Sequence, residues 1–196
     1  MIGIIVLTRN SIGMAAYTAF DQAVEVHGRT ILAVVDGALA RFSEEYRRTA
    51  RESLAEHGIV APAPDQWYPP QAWLNTFEAV AEDLQPHILD RLGEQIPDVA
   101  DWPTDVSSVE DGLRAIDEAY RRNHRGGEIG YYRFEPIDDH EGAVTCKTPY
   151  PCHFDRGLIR AAAQRYAPVE SFVFVEERGD RCRRDGDDRC TYRVYW

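Results

Sequence analysis

The sequence predicts an α+β fold in which a helical N-terminal half packs on an antiparallel sheet of β-β-α-β-β order. Three observations carry this reading. Up to about residue 125, apolar residues recur at three- and four-residue steps, the helical period. After Gly127 the period shortens, and β-branched and aromatic residues gather in short runs bounded by turn residues. All four cysteines then fall at or after position 146, inside the second half. At 196 residues and 44% hydrophobic, the chain can bury a sizeable core and reads as one domain over 1–196. Its helical part covers 1–125 and its β-rich part, with the cysteines, 126–196.

From Met14 to about Gly58 the pattern is helical. Ile31, Val35, Ala38, Phe42 and Tyr46 form one apolar stripe, with Gly28 as an interruption and Thr30 as an N-cap candidate. Gly58 suits the residue after a helix end. "VAPAPDQWYPP" carries four prolines in eleven residues and reads as an irregular connector. A second helix starts near Pro70. Trp73, Phe77, Val80 and Leu84 mark its buried face, and Ile88 and Leu92 continue it beyond Pro86, which must kink or split it. Ser108 with Asp111 resembles a capping box for a third helix striped by Val109, Leu113, Ile116 and Tyr120, and "RRNHRGG" ends it.

"EIGYYRFEPI" and "AVTCKT" read as two strands joined by the turn "DDHEG". "FDRGLIRAAAQRYA" is a short helix with Phe154, Leu158, Ala162 and Tyr166 on one face, and Gly157 beside that face would allow close approach to a sheet. "SFVFVEE" and "TYRVYW" supply the last two strands. The opening "MIGIIVLT" is an edge strand or a tail, and Met14 is a second possible start.

The net charge of −11 argues against nucleic acid as a partner, because phosphate binding needs clustered cations. No run approaches the roughly 20 apolar residues of a membrane span, and the N-terminus lacks the marks of a signal peptide. A cytoplasmic location follows. There, clustered cysteines more often mean metal or redox chemistry than structural disulfides.

Cys182 and Cys190 flank "RRDGDDR", a loop centred on Gly186 that would set the two thiols opposite each other in a hairpin. Cys146 and Cys152 bracket a proline-containing turn. If that turn lies beside the hairpin, all four thiolates can converge as zinc prefers; ordinary buried thiols and a disulfide are the other readings. His153, next to Cys152, is either a ligand or a packing residue. The aspartates around Cys190 lack the EF-hand spacing and read as an exposed turn. The aromatics of the second helix and first strand would line either an apolar pocket or a solid core.

"PCHFDRGLIRAAAQRY", a strand, and then "CRRDGDDRCTYRVYW" resemble the vinyl-4-reductase-type small-molecule-binding domain. Its superfamily also includes haem–nitric-oxide-binding domains and subunits of the trafficking-particle complex. The resemblance implies a ligand-binding fold, often dimeric, with an apolar cavity between helices and sheet. Here Trp73, Phe77, His124, Tyr131, Tyr132 and Phe154 would line it. It also implies zinc held by three cysteines and one glutamate, as in the phenol-sensing regulators of the family. Cys152, Cys182 and Cys190 match the cysteines, while Gly179 stands at the glutamate position and leaves Cys146 or Glu177 for the fourth place. Haem would fall to His87 or His124, and the Tyr-x-Ser-x-Arg motif of the haem-binding relatives is not in this sequence. The expectation is a stand-alone, non-catalytic sensor or carrier of a small hydrophobic molecule, homodimeric, with structural zinc. An enzyme of tetrapyrrole-related metabolism and an assembly subunit are the other readings.

Overall fold

The computed structural model describes residues 16–82, 84–179 and 182–196. The apolar opening octet, Met14, Asp180 and Arg181 therefore lie outside the described residues.

A short strand β1 (Glu25–His27) leads into α1 (Gly28–Leu32), a widened π-helical stretch (Ala33–Leu39) and α2 (Ala40–Phe42). Ile31, Val35 and Ala38 are buried along this run, as their spacing predicts. Gly28 opens the helix instead of interrupting it, and Thr30 does not cap it. The run breaks at Ser43, whose extended backbone and side-chain oxygen, accepting from the Glu45 amide, start α3 (Glu44–Glu56). The proline-rich connector is not wholly irregular. Within it β2 (Trp67–Tyr68) pairs with β1, which also pairs with β3 (His124–Arg125).

Helix α4 (Pro70–Glu82) and helix α5 (Pro86–Glu94) are the two halves that Pro86 separates, and α6 (Ile96–Val99) follows. Helix α7 (Val109–Asn123) begins as expected, with the Ser108 hydroxyl accepting from the Asp111 amide at 3.1 Å.

The second half is a four-stranded antiparallel sheet of order β4-β5-β7-β6. Strands β4 (Tyr131–Asp138) and β5 (Glu141–Lys147) form the hairpin, α8 (Cys152–Gln164) crosses over, and β6 (Phe174–Arg178) and β7 (Cys190–Tyr195) close the sheet. Val144 and Cys146 of β5, with Cys190, Tyr192 and Val194 of β7, are buried; their alternation gives the sheet one covered face. One buried cluster runs from Val26 through the helices to Val194.

Gly157 corrects one expectation. It faces α5, where a Cβ would come 1.8 Å from the Asp90 carbonyl oxygen, and Gly93 lies equally close to the Phe154 carbonyl at 2.1 Å. Two opposed glycines thus let α5 and α8 touch backbone to backbone. Arg156 clamps Asp90 through both carboxylate oxygens, and Arg160 reaches Glu94 at 2.8 Å. Helix propensity alone would make Gly157→Ala stabilising by about 1 kcal/mol. The contact requires the opposite sign, a loss of roughly 1–3 kcal/mol from overpacking, readable as a lower urea midpoint.

Candidate functional site

Two sites meet on α8. The first is a cavity of about 50 Å³ between the helices and the sheet. Val34 of the π-helical stretch, Trp73 and Phe77 of α4, Ile116 and Tyr120 of α7, and Phe154 and Leu158 of α8 form most of its wall. Of the residues expected there, Trp73, Phe77, His124, Tyr132 and Phe154 line it. Tyr131 does not: strand alternation turns it to the other face, where the Arg133 guanidinium lies 4.8 Å from its ring centre. The packing is aromatic edge to face, with Phe77 at 5.6 Å from Trp73 and 5.1 Å from Phe154.

A polar chain runs through this apolar wall. Trp73 Nε1–H donates to the Tyr150 hydroxyl at 3.1 Å, and that hydroxyl donates to His124 Nε2 at 2.9 Å. His124 Nδ1 lies 2.9 Å from the Tyr120 carbonyl, which can only accept, so the proton sits on Nδ1. Burial pushes the imidazole down to about 4. The sign of the linkage is set by that depression. The folded state keeps His124 neutral, while the unfolded chain takes up a proton below about 6.5. Stability is therefore full above that pH and falls as the pH drops toward 4, by roughly 3 kcal/mol in total. Urea titrations across this window should show the loss, with a shallower slope in His124→Gln.

The second site gathers Cys152, Cys182 and Cys190, whose sulfur atoms all lie within 4.8 Å of one another. Cys146 stands apart from this cluster. It is buried on β5 as the direct cross-strand partner of Cys190, the position the sequence assigned to Cys182. Cys182 instead follows β6 and opens a single 3₁₀ turn (Arg183–Asp185) that Gly186 ends in the left-handed region, φ 89°. His153 is not in the cluster either; it faces Arg184 and Asp90.

The Cys152 and Cys190 sulfurs are 3.3 Å apart. The Arg183 amide donates to Cys190 Sγ at 3.4 Å and Arg184 Nε to Cys182 Sγ at 3.2 Å. The bond from the Cys152 thiol, with the Arg183 amide and guanidinium, brings Cys190 down to about 6, whereas burial pushes Cys182 up. Glu177 projects from β6 on the covered face beside Cys182. One oxygen takes Arg184 at 2.6 Å, while the other, Oε1, is buried with no partner among the described residues. Tetrahedral zinc–thiolate bonds of about 2.3 Å set sulfurs roughly 3.8 Å apart. The observed cluster is close to that, and Glu177, beside Cys182 alone, lies outside the three-sulfur group.

Sequence reasoning missed the buried pair beneath the cluster, Asp155 and Arg183, both with 0% side-chain exposure. Asp155 accepts from Tyr132 at 2.5 Å, from Thr148 at 2.9 Å and from Arg183. The long separation of the two residues, and the charged run around Arg183, hid it.

The residues present do not fit haem. His87 is exposed, and both nitrogens of His124 are hydrogen-bonded inside the protein. Pockets for drug-sized ligands run to about 300–1,000 Å³, against about 50 Å³ here.

No protein-family model matches the sequence, and no curated protein does. Solved structures do match in fold. A Cs H-NOX mutant is 16% identical with a TM-score of 0.60, covering 86% of this chain and 95% of that one. An I5F mutant of T. tengcongensis H-NOX is 16% identical at 0.59, with 86% and 96% covered. An Fe(II) H-NOX from S. oneidensis is 15% identical at 0.60, with 86% and 95% covered. The chain therefore has an H-NOX-like α+β fold, in which this cavity lies between the helical part and the sheet.

Proposed function

We propose that the protein is a non-catalytic sensor or carrier that holds a small apolar molecule in the cavity lined by Trp73, Phe77 and Phe154, with structural zinc on Cys152, Cys182 and Cys190. The observation that carries the reading is the cavity itself, nearly all apolar, crossed by one polar chain and set inside an H-NOX-like fold. The similar structures are haem and Fe(II) proteins by their descriptions; here the aromatic filling favours a smaller guest. An apolar cavity of about 150 Å³ holds benzene, so an aromatic ligand would need the rings of Phe77 or Phe154 to swing aside.

The assembly-subunit reading needs an exposed stripe on the first helical run, but Ile31, Val35 and Ala38 are buried. Among the described residues no helix is long and apolar enough to cross a membrane, and a cytoplasmic setting with reduced thiols belongs to the proposal. So does a homodimer. Native mass spectrometry reads metal, ligand and oligomer together. The test of function is a thermal-shift screen of small neutral apolar molecules, phenols among them. A ligand at a hundredfold its Kd should add about 2.7 kcal/mol. No hit would sink the reading, and a hit that is chemically converted would replace it with an enzyme.

A further inference from the structure

Trp102 lines the same cavity, and its indole Nε1–H is buried without a partner among the described residues. Every other polar side chain of the wall has a partner inside the protein. Thr30 donates to Asn123 at 2.6 Å, and Asn123 donates to the Ala119 carbonyl at 2.7 Å. His124 and Tyr150 satisfy each other and their neighbours, Tyr120 donates to the Ile129 carbonyl, and Tyr132 donates to Asp155. An unmet buried donor costs free energy that an acceptor in the cavity would return. The wall contains no charged side chain, because burial keeps His124 neutral there.

We infer that Trp102 is a specificity-determining residue, and that the ligand is a small neutral molecule with an apolar body and one hydrogen-bond acceptor, such as a ketone or aldehyde oxygen, that the Trp102 Nε1–H reads. The inference rests on the cavity being the ligand site. A site that holds one unpaired donor discriminates against a guest of the same shape that lacks the acceptor, because the donor then stays unpaired. A charged guest is excluded, since nothing in the wall would offset its desolvation.

The test uses two probes of matched shape, butanone and 2-methyl-1-butene, on the full chain and on Trp102→Phe. The indole Nε1–H resonance of Trp102, assigned by its loss in the variant, should shift on adding butanone and stay in place with the alkene. Trp102→Phe should weaken butanone about tenfold, the worth of one net hydrogen bond, and leave the alkene within about twofold. If both probes bind and the resonance does not move, or both weaken equally in the variant, the role of Trp102 is overturned while the cavity reading stands. If neither probe binds even at high concentration, both readings fall. Should Trp102→Phe fail to fold, the resonance in the parent protein decides alone, with assignment by selective labelling.

Discussion

Replacing Cys190 by serine should strip the proposed zinc from purified protein and cost several kcal/mol of stability. Cys190 has the central place in the cluster: its sulfur is 3.3 Å from that of Cys152 and accepts the Arg183 amide. Zinc binding to such a set is folding free energy, because the unfolded chain has no preformed site. The loss of a structural metal is among the few single changes expected to exceed about 4 kcal/mol. The cluster joins three segments, the start of α8, the 3₁₀ turn after β6 and the first residue of β7, so its loss frees all of them together. Cys146→Ser is the internal control. Cys146 is as deeply buried but outside the cluster, so it should keep about one zinc per chain while paying only for a buried hydroxyl. Elemental analysis of both variants and the parent, prepared without chelator, reads the contrast. A parent protein with no metal would remove the site.

How far the sequence led differs by element. Helices α4, α5 and α7 were legible because their stripes are long and their ends carry Pro70, Pro86 and Ser108, residues with one strong local preference. The order of strands around α8 was legible from the change of period. Strands β1, β2 and β3 were not, since two or three residues are too few to show a period, and β2 lies among prolines. The four-cysteine reading failed on register. The loop "RRDGDDR" looks like the tip of a symmetric hairpin, but its 3₁₀ turn leaves Cys182 outside the ladder, and Cys146 takes the place opposite Cys190. Glu177 entered as a possible ligand only through the resemblance, because Gly179 stands at the glutamate position; alternation along β6 puts it on the covered face. Trp102, in the loop "DWPTD", gave no signal at all, since one aromatic between helices has no pattern around it.

Arg183→Met should destabilise the protein by about 3–5 kcal/mol, the usual cost of leaving one partner of a buried ion pair without the other. Arg183 donates to the Thr148 hydroxyl at 2.8 Å and to the Tyr150 carbonyl at 2.8 Å as well as to Asp155. It therefore ties the turn after Cys182 to α8 and to the loop that carries the cavity residue Tyr150. Burial pushes the Asp155 carboxyl up, and Arg183 with the Tyr132 and Thr148 hydroxyls offsets this only in part, so that it stays raised. Without Arg183, Asp155 would rise further and take up a proton in the folded state at a pH where the unfolded chain does not. A carboxyl raised in this way lends stability below its unfolded pKa of about 3.9 and loses it as the pH rises through the folded value. The deficit of Arg183→Met should accordingly shrink as the pH is lowered from 7 toward 4, whereas a variant that only removed packing would show no such recovery. Pairing it with Asp155→Leu should restore much of the loss at pH 7, because removing both charges also removes their desolvation cost. A double-mutant cycle by urea unfolding measures that coupling directly. Additive losses, or a deficit that does not change with pH, would mean that the pair is not ionised in the folded protein and that Arg183 acts through its contacts with Thr148 and Tyr150 alone.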